Sequence, residues 1–234
     1  MTVAIRLLSF NIHKGVGWRT RKSTLNQIQA QIIELQPDII LLQEVLGSQF
    51  ETLSSEKWPH CRYGKNAVYK NGHQGNAILS KFPISYVENI DLSMHRYEHR
   101  GLLHTILQLP EQGNPLHLLC VHLGLFPSDR RKQIGKIIEY IKSNIPEHDS
   151  IILGGDFNDW NSYATKPLAD KLGLNEAFLS SHNAHARTYP AWTPMFKLDR
   201  VYFKGLQIKQ AQRLVNKPWK FLSDHIGIQV TLEY

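Results

Sequence analysis

The 234-residue chain carries 27 Lys and Arg against 20 Asp and Glu, a formal charge of +7 with His neutral. Its 42% apolar content supports a large core and excludes wholesale disorder, while no apolar run reaches the ~18 residues of a membrane span. Two cysteines, Cys61 and Cys120, make no disulfide framework and no spacing that suits zinc.

Residues 3–11 alternate and are rich in apolar side chains, which predicts a strand followed by a loop over 13–22. Ser23 is placed to cap a helix reaching Leu35, with Leu25, Ile28, Ile32 and Leu35 at helical spacing and Pro37 as the stop. Residues 38–45 (DIILLQEV) form a continuous apolar run, as a strand covered on both faces would. A short helix near 48–55 precedes strand-like pieces at 66–70, 76–81, 84–91, 101–109 and 116–123. Turn signals stand at Asn71-Gly72 and Gly113-Asn114-Pro115. A helix opens at Pro127 and Ser128 and runs to about Ile145, with Ile134, Ile137, Ile138 and Ile141 on one face. Residues 150–156 read as a buried strand, 159–198 as helical pieces and loops, and 198–204, 206–215 and 226–233 as the last strands. No linker, repeat or low-complexity tract interrupts this order, so one domain over residues 1–234 is expected. The opening MTVAIRLLSFNIH turns polar too early for a secretory signal, and a cytoplasmic monomer is the expectation.

The positive charge is unevenly placed. Residues 1–33 hold five basic residues (Arg6, Lys14, Arg19, Arg21, Lys22) and no acid. Residues 200–223 hold six (Arg200, Lys204, Lys209, Arg213, Lys217, Lys220), again with no acid. Two such segments are either solvated loops or, if they meet in space, a surface for a polyanion such as nucleic acid or an anionic lipid head group. Trp18, Trp192 and Trp219 lie near basic residues, where they can stack on bases, sit in a lipid interface, or pack on the fold.

Several strands begin or end in residues a core would not choose: Asn11, Gln43-Glu44, His122, Asp156 and Asn158, Asp199-Arg200, and Asp224-His225. Oxygen donors without cysteine suit Mg²⁺ or Mn²⁺ rather than zinc. Two histidines beside carboxylates supply groups that titrate near neutral pH. The inventory fits metal-assisted hydrolysis of a phosphate ester.

Eight segments add a resemblance: LLSFNIH (7–13), LLQEV (41–45), GNAILSKFPI (75–84), EHRGLLH (98–104), VHLGL (121–125), GGDFNDW (154–160), LDRVYF (198–203) and SDHIGI (223–228). In this order, spanning nearly the whole chain, they resemble the endonuclease/exonuclease/phosphatase superfamily of DNase I, AP endonucleases, neutral sphingomyelinases and inositol-polyphosphate 5-phosphatases. The chain is most similar to its short bacterial members. The resemblance implies an α/β fold, a four-layered sandwich with two mixed sheets inside and helices outside, and one active site where sheet ends meet.

The resemblance also implies roles. Glu44 would be the main metal ligand, with Asn11 near metal and phosphate and Asp224 beside the metal. Asp156 would position or deprotonate the attacking water. Asn158, two residues further along an extended strand end, would bond a phosphate oxygen. His225 would face the scissile phosphate, with Asp199 fixing its tautomer. Whether the aspartate or the histidine activates water differs among members and stays open. His122 favours a two-histidine site, donating to the phosphate or the leaving oxygen, with Glu98 or Arg100 as its neighbour and Glu98 the better candidate for orienting it. His13 is expected behind Asn11. Lys14, Arg100, Arg130 and Arg200 are the candidate contacts to substrate, although Arg200 departs from members with Tyr or a small residue there. The expected activity is a Mg²⁺-dependent phosphodiesterase, Mn²⁺ substituting, with nucleic acid as first substrate class. A phospholipid or small phosphorylated head group is the alternative.

Overall fold

The computed structural model describes residues 3–70, 72–110 and 115–234. Period-two alternation explains its layers. In β1 (Ala4–Asn11) and β2 (Ile39–Leu46), Ile5, Leu7, Ile39 and Leu41 point one way, and Leu8, Phe10, Ile40 and Leu42 the other. Both faces are apolar, so both must be covered. The same holds for β7 (Leu116–His122) and β8 (Ser150–Asp156): Leu118 and Ile152 face one core, Leu119, Val121, Ile151 and Leu153 another.

Two six-stranded mixed sheets result. The first runs β11-β12-β1-β2-β4-β3, and the second β5-β6-β7-β8-β10-β9. The remaining strands are β3 (His60–Tyr69), β4 (Gly72–Ser80), β5 (Ile84–Asp91), β6 (Gly101–Leu107), β9 (Asn175–Glu176), β10 (Asp199–Lys204), β11 (Gln207–Arg213) and β12 (Ile228–Glu233). The sheets pack face to face over Leu7, Leu41, Ile78, Leu103, Leu118, Val201 and Val230. Helices α1 (Leu25–Leu35), α2 (Gly47–Leu53) and α6 (Trp219–Leu222) cover the outside of the first sheet through Ile28, Ile32, Leu53 and Leu222. Helices α3 (Pro127–Asn144) and α4 (Thr165–Leu172) cover the second through Ile134, Ile137, Ile141 and Leu168. Each of these side chains contributes about 1.5–3 kcal/mol by leaving water. This is the four-layered sandwich that the resemblance implies. Among the described residues, no helix is long and apolar enough to cross a membrane.

Departures from the sequence expectations have local causes. Thr24, not Ser23, precedes α1, and its Oγ1 donates to the Leu222 carbonyl at 2.6 Å instead of capping the helix. β3 starts well before residue 66, because pairing with β4 extends a segment whose own alternation is weak. The two-residue β9, followed by α5 (Ala177–His182), is too short to leave a periodic signal. Of the expected turns, Asn71 and residues 113–114 lie outside the described residues.

The topology gathers the polar strand ends. β1 pairs parallel with β2, and β7 parallel with β8, so their carboxyl ends share one rim. β10 runs antiparallel to β8, with Asp199 opposite Asp156, which brings its amino end to the same rim. Gly155 is required at this point: its φ is +140°, and a Cβ there would lie 2.0 Å from the Val121 carbonyl oxygen.

Candidate active site

Glu44, Arg100, His122, Asp156, Asn158, Asp224 and His225 line one cleft of about 390 Å³. Asp156 is its hub. Its Oδ2 accepts from Asn11 Nδ2 at 3.0 Å and lies 3.5 Å from His122 Nε2 and 3.7 Å from His225 Nε2. Its Oδ1 accepts the Asn158 backbone N–H at 2.9 Å. His225 is fixed from behind, its Nδ1 2.9 Å from Asp199 Oδ2, and both side chains are buried. This contact orients the ring so that Nε2 turns toward Asp156.

The two imidazoles are electrostatically opposite. Burial alone would lower the pKa of His225, but Asp199, Asp156 and Asp224 outweigh it and push it up to about 10. His122 is pushed down to about 3, first by burial and then by the Arg100 charge. His122 is therefore a neutral imidazole at neutral pH, suited to hydrogen bonding rather than to carrying charge.

Glu44 owes its aim to backbone geometry. The β2–β4 register shifts between Leu42 and Val45, and Glu44 takes φ +56°. A bulge of this kind redirects one side chain out of the ladder. Glu44 Oε1 accepts from Asn11 Nδ2 at 3.3 Å, so one amide ties Glu44 to Asp156. Asn11 Oδ1 in turn accepts the His13 N–H at 3.0 Å. Asn11 thus serves here as the donor that holds two carboxylates together. His13 Nδ1 stands 3.7 Å from Asp224 Oδ1. Lys14 is exposed, at φ +55°, on a 3-10 turn (His13–Gly15).

Four expectations are corrected. Arg200 makes no contact with the cleft: it is fully buried, with Nη1 3.0 Å from Asp159 Oδ2 and 3.1 Å from the Tyr202 hydroxyl. It lies one residue past Asp199 in β10, so alternation turns it to the opposite face, among groups of the helical layer. Arg130 is buried as well. Its Nη1 donates to the carbonyls of Gly124 and Leu125, and its guanidinium lies 4.4 Å above the Trp160 ring, so it braces the loop after β7. Glu98 does not orient His122; its Oε1 accepts from Arg100 Nη2 at 3.2 Å and from the Leu125 N–H at 3.1 Å. Asn158 is no strand end: φ +49° turns the chain there, and its Nδ2 donates to the Leu123 carbonyl at 2.9 Å. Arg100, held by Glu98, does line the cleft. Sequence reasoning missed the apolar lining of Leu125, Trp160, Tyr189, Phe196 and Leu198. Tyr189, whose ring centroid lies 5.0 Å from that of His225, sits in a loop with no periodic signal.

The donor set fits a hard divalent cation. Glu44, Asp156 and Asp224 converge on the cleft, and among the described residues the ion-pair neighbours of Asp156 and Asp224 are histidines, not Lys or Arg. Asp156, Asp199 and His225 also present ligand atoms within 4.8 Å of one another. His225 Nδ1 is already committed to Asp199, so this trio reads better as a histidine oriented by carboxylates. Glu44 and Asp224 are the further carboxylates that line the cleft.

The family model of the Endonuclease/Exonuclease/phosphatase family matches residues 8–225. The chain belongs to this family. The match runs from the first of the eight motif segments to the last. YbhP, an uncharacterized protein of Escherichia coli (strain K12), is 36% identical over 244 residues, covering 98% of this chain and 96% of YbhP. A phospholipase C of Staphylococcus aureus is 25% identical over 176 residues, 62% of this chain and 52% of that protein. The human Nocturnin catalytic domain with bound sulfate superposes with a TM-score of 0.81 at 21% identity, covering 99% of this chain and 96% of that one. The endonuclease/exonuclease/phosphatase fold is thus shared across distant sequences, with the polar strand ends of this chain on its central rim.

Proposed function

We propose that the protein hydrolyses a phosphodiester, with Glu44 and Asp224 holding a divalent ion, Mg²⁺ or Mn²⁺. The observation that carries this reading is the Asp199–His225–Asp156 arrangement facing His122 in one cleft. A bound divalent ion would offset charge on the phosphate oxygens and acidify a water molecule. Asp156, held in place by Asn11 and the Asn158 N–H, orients the attacking water and is placed to take its proton. His225, held in orientation by Asp199, faces the phosphate from Nε2. His122 donates from a neutral imidazole to a phosphate or leaving-group oxygen. Arg100 adds positive charge at the wall of the cleft, and its Glu98 partner keeps it there.

Two substrate classes have support. Nucleic acid is supported by the basic segment that follows Asn11. A lipid or small phosphorylated head group is supported by the apolar side chains that line the cleft mouth, and by the likeness to the S. aureus phospholipase C. The catalytic reading is tested with bis(p-nitrophenyl) phosphate. Activity should require Mg²⁺ or Mn²⁺, vanish with EDTA, and fall at least about 10²-fold in His225→Ala and Asp156→Asn. Titration calorimetry should show weakened Mg²⁺ binding in Glu44→Gln. Wild-type rates in both catalytic variants would refute the assignment.

A further inference from the structure

Large apolar side chains stand exposed around the mouth of the cleft. Phe126, 62% exposed, follows Leu125 in the loop between β7 and α3, and Met195, 56% exposed, precedes Phe196 in the loop 189–197. Leu125, Phe196 and Trp160 also line the cleft itself, so the exposed rim and the reaction site form one surface. Isolated exposed apolar residues are common on proteins, but a set gathered at one functional opening marks a contact surface.

Cations lie on segments joined through Trp18 to the loop that carries Met195 and Phe196. Trp18 stacks on Trp192 with ring centroids 4.6 Å apart, joining the basic loop after Asn11 to the loop 189–197. The Trp18 Nε1–H donates to the Lys220 carbonyl at 2.9 Å, and the Trp18 ring lies 6.3 Å from that of Phe221. Arg19 and Lys217 come together in a groove beside Phe221. The two acid-free segments therefore meet, through Trp18, next to the apolar rim.

We propose that this rim docks on an anionic phospholipid membrane, and that the cleft takes the phosphodiester of a lipid head group. The proposal rests on the phosphodiesterase reading above for its chemistry, but not for its surface. Apolar side chains flanked by Arg and Lys are the combination that inserts at the head-group boundary and is attracted to negative surface charge. Beside the aromatic Phe126, Trp160 and Phe196, the rim carries aliphatic Leu125 and Met195, surface that a lipid boundary takes up and a nucleobase does not stack on.

Phe126 and Met195 do not line the cleft, so they separate docking from catalysis. The full-length protein is sedimented with vesicles of phosphatidylcholine alone and of phosphatidylcholine mixed with phosphatidylglycerol. Wild type should pellet with the anionic vesicles only, and less at high salt. The double variant Phe126→Ser/Met195→Ser should partition about 10²-fold more weakly, near tenfold per side chain. Its circular dichroism and its rate on bis(p-nitrophenyl) phosphate should match wild type. Wild type remaining in the supernatant with anionic vesicles overturns the proposal. So does a loss of single-stranded DNA binding, in the double variant, as large as the loss of vesicle binding. If wild type binds anionic vesicles but hydrolyses no bis(p-nitrophenyl) phosphate, the surface stands and only the catalytic reading fails.

Discussion

Arg200→Met gives the sharpest test of how the site is supported. The side chain carries a full charge at 0% exposure, opposite an Asp159 side chain that is 4% exposed. Its Nη1 bonds Asp159 and Tyr202, and its Nη2 bonds the carbonyls of Asp159 and Lys197. Methionine keeps much of the volume but removes these donors and strands the Asp159 carboxylate away from water. Breaking a buried pair in this way costs about 3–5 kcal/mol. Among the described residues Nε has no hydrogen-bond partner, which moves the expectation toward the lower end of that range. Urea denaturation measures the change as a lower midpoint at unchanged slope. Asp159→Asn/Arg200→Met should recover part of the loss, with a coupling of about 1–3 kcal/mol, because the stranded charge is gone. Asp159 Oδ2 also accepts the Ala164 N–H at 2.8 Å, so recovery is incomplete. A loss under about 1 kcal/mol accompanied by a raised KM would refute this account and return Arg200 to the substrate.

Two further outcomes are expected. Asp199→Asn removes the carboxylate that accepts from His225 Nδ1 and should lower kcat about 10²–10⁴-fold; an unchanged kcat would remove His225 from the reaction. His104 is buried between Tyr140 and His117, and burial first, then His117, lowers its pKa from 6.5 to about 4. Below its ordinary pKa the unfolded chain takes up a proton that the folded His104 refuses. Its contribution is therefore intact above about pH 6.5 and lost as pH falls toward about 4. Urea midpoints should drop between about pH 7.5 and about pH 5, and His104→Gln should shrink that drop; an equal drop in both proteins would exclude His104 as its source.

The chain's own order of residues determined the layers and most of the chemistry. Alternating apolar positions in β1, β2, β7 and β8 specify two covered faces per strand, and covered faces specify helices outside paired sheets. Asn11, Glu44, His122, Asp156, Asp199 and His225 stood out because polar groups at the ends of apolar strands have no place in a core. The direction of each side chain was a matter of tertiary structure. Glu44 and Asn158 adopt left-handed backbone conformations, which local residue type does not dictate. Arg200 follows a site residue in sequence yet faces the opposite layer. The two acid-free segments could mean a polyanion surface only if they met, and the contacts of Trp18 with Lys220 and Phe221 are where they do. Periodicity is a property of neighbours along the chain, and it fixes faces. A site is built from contacts between residues far apart in sequence, and those are settled only when both sheets have closed on their shared core.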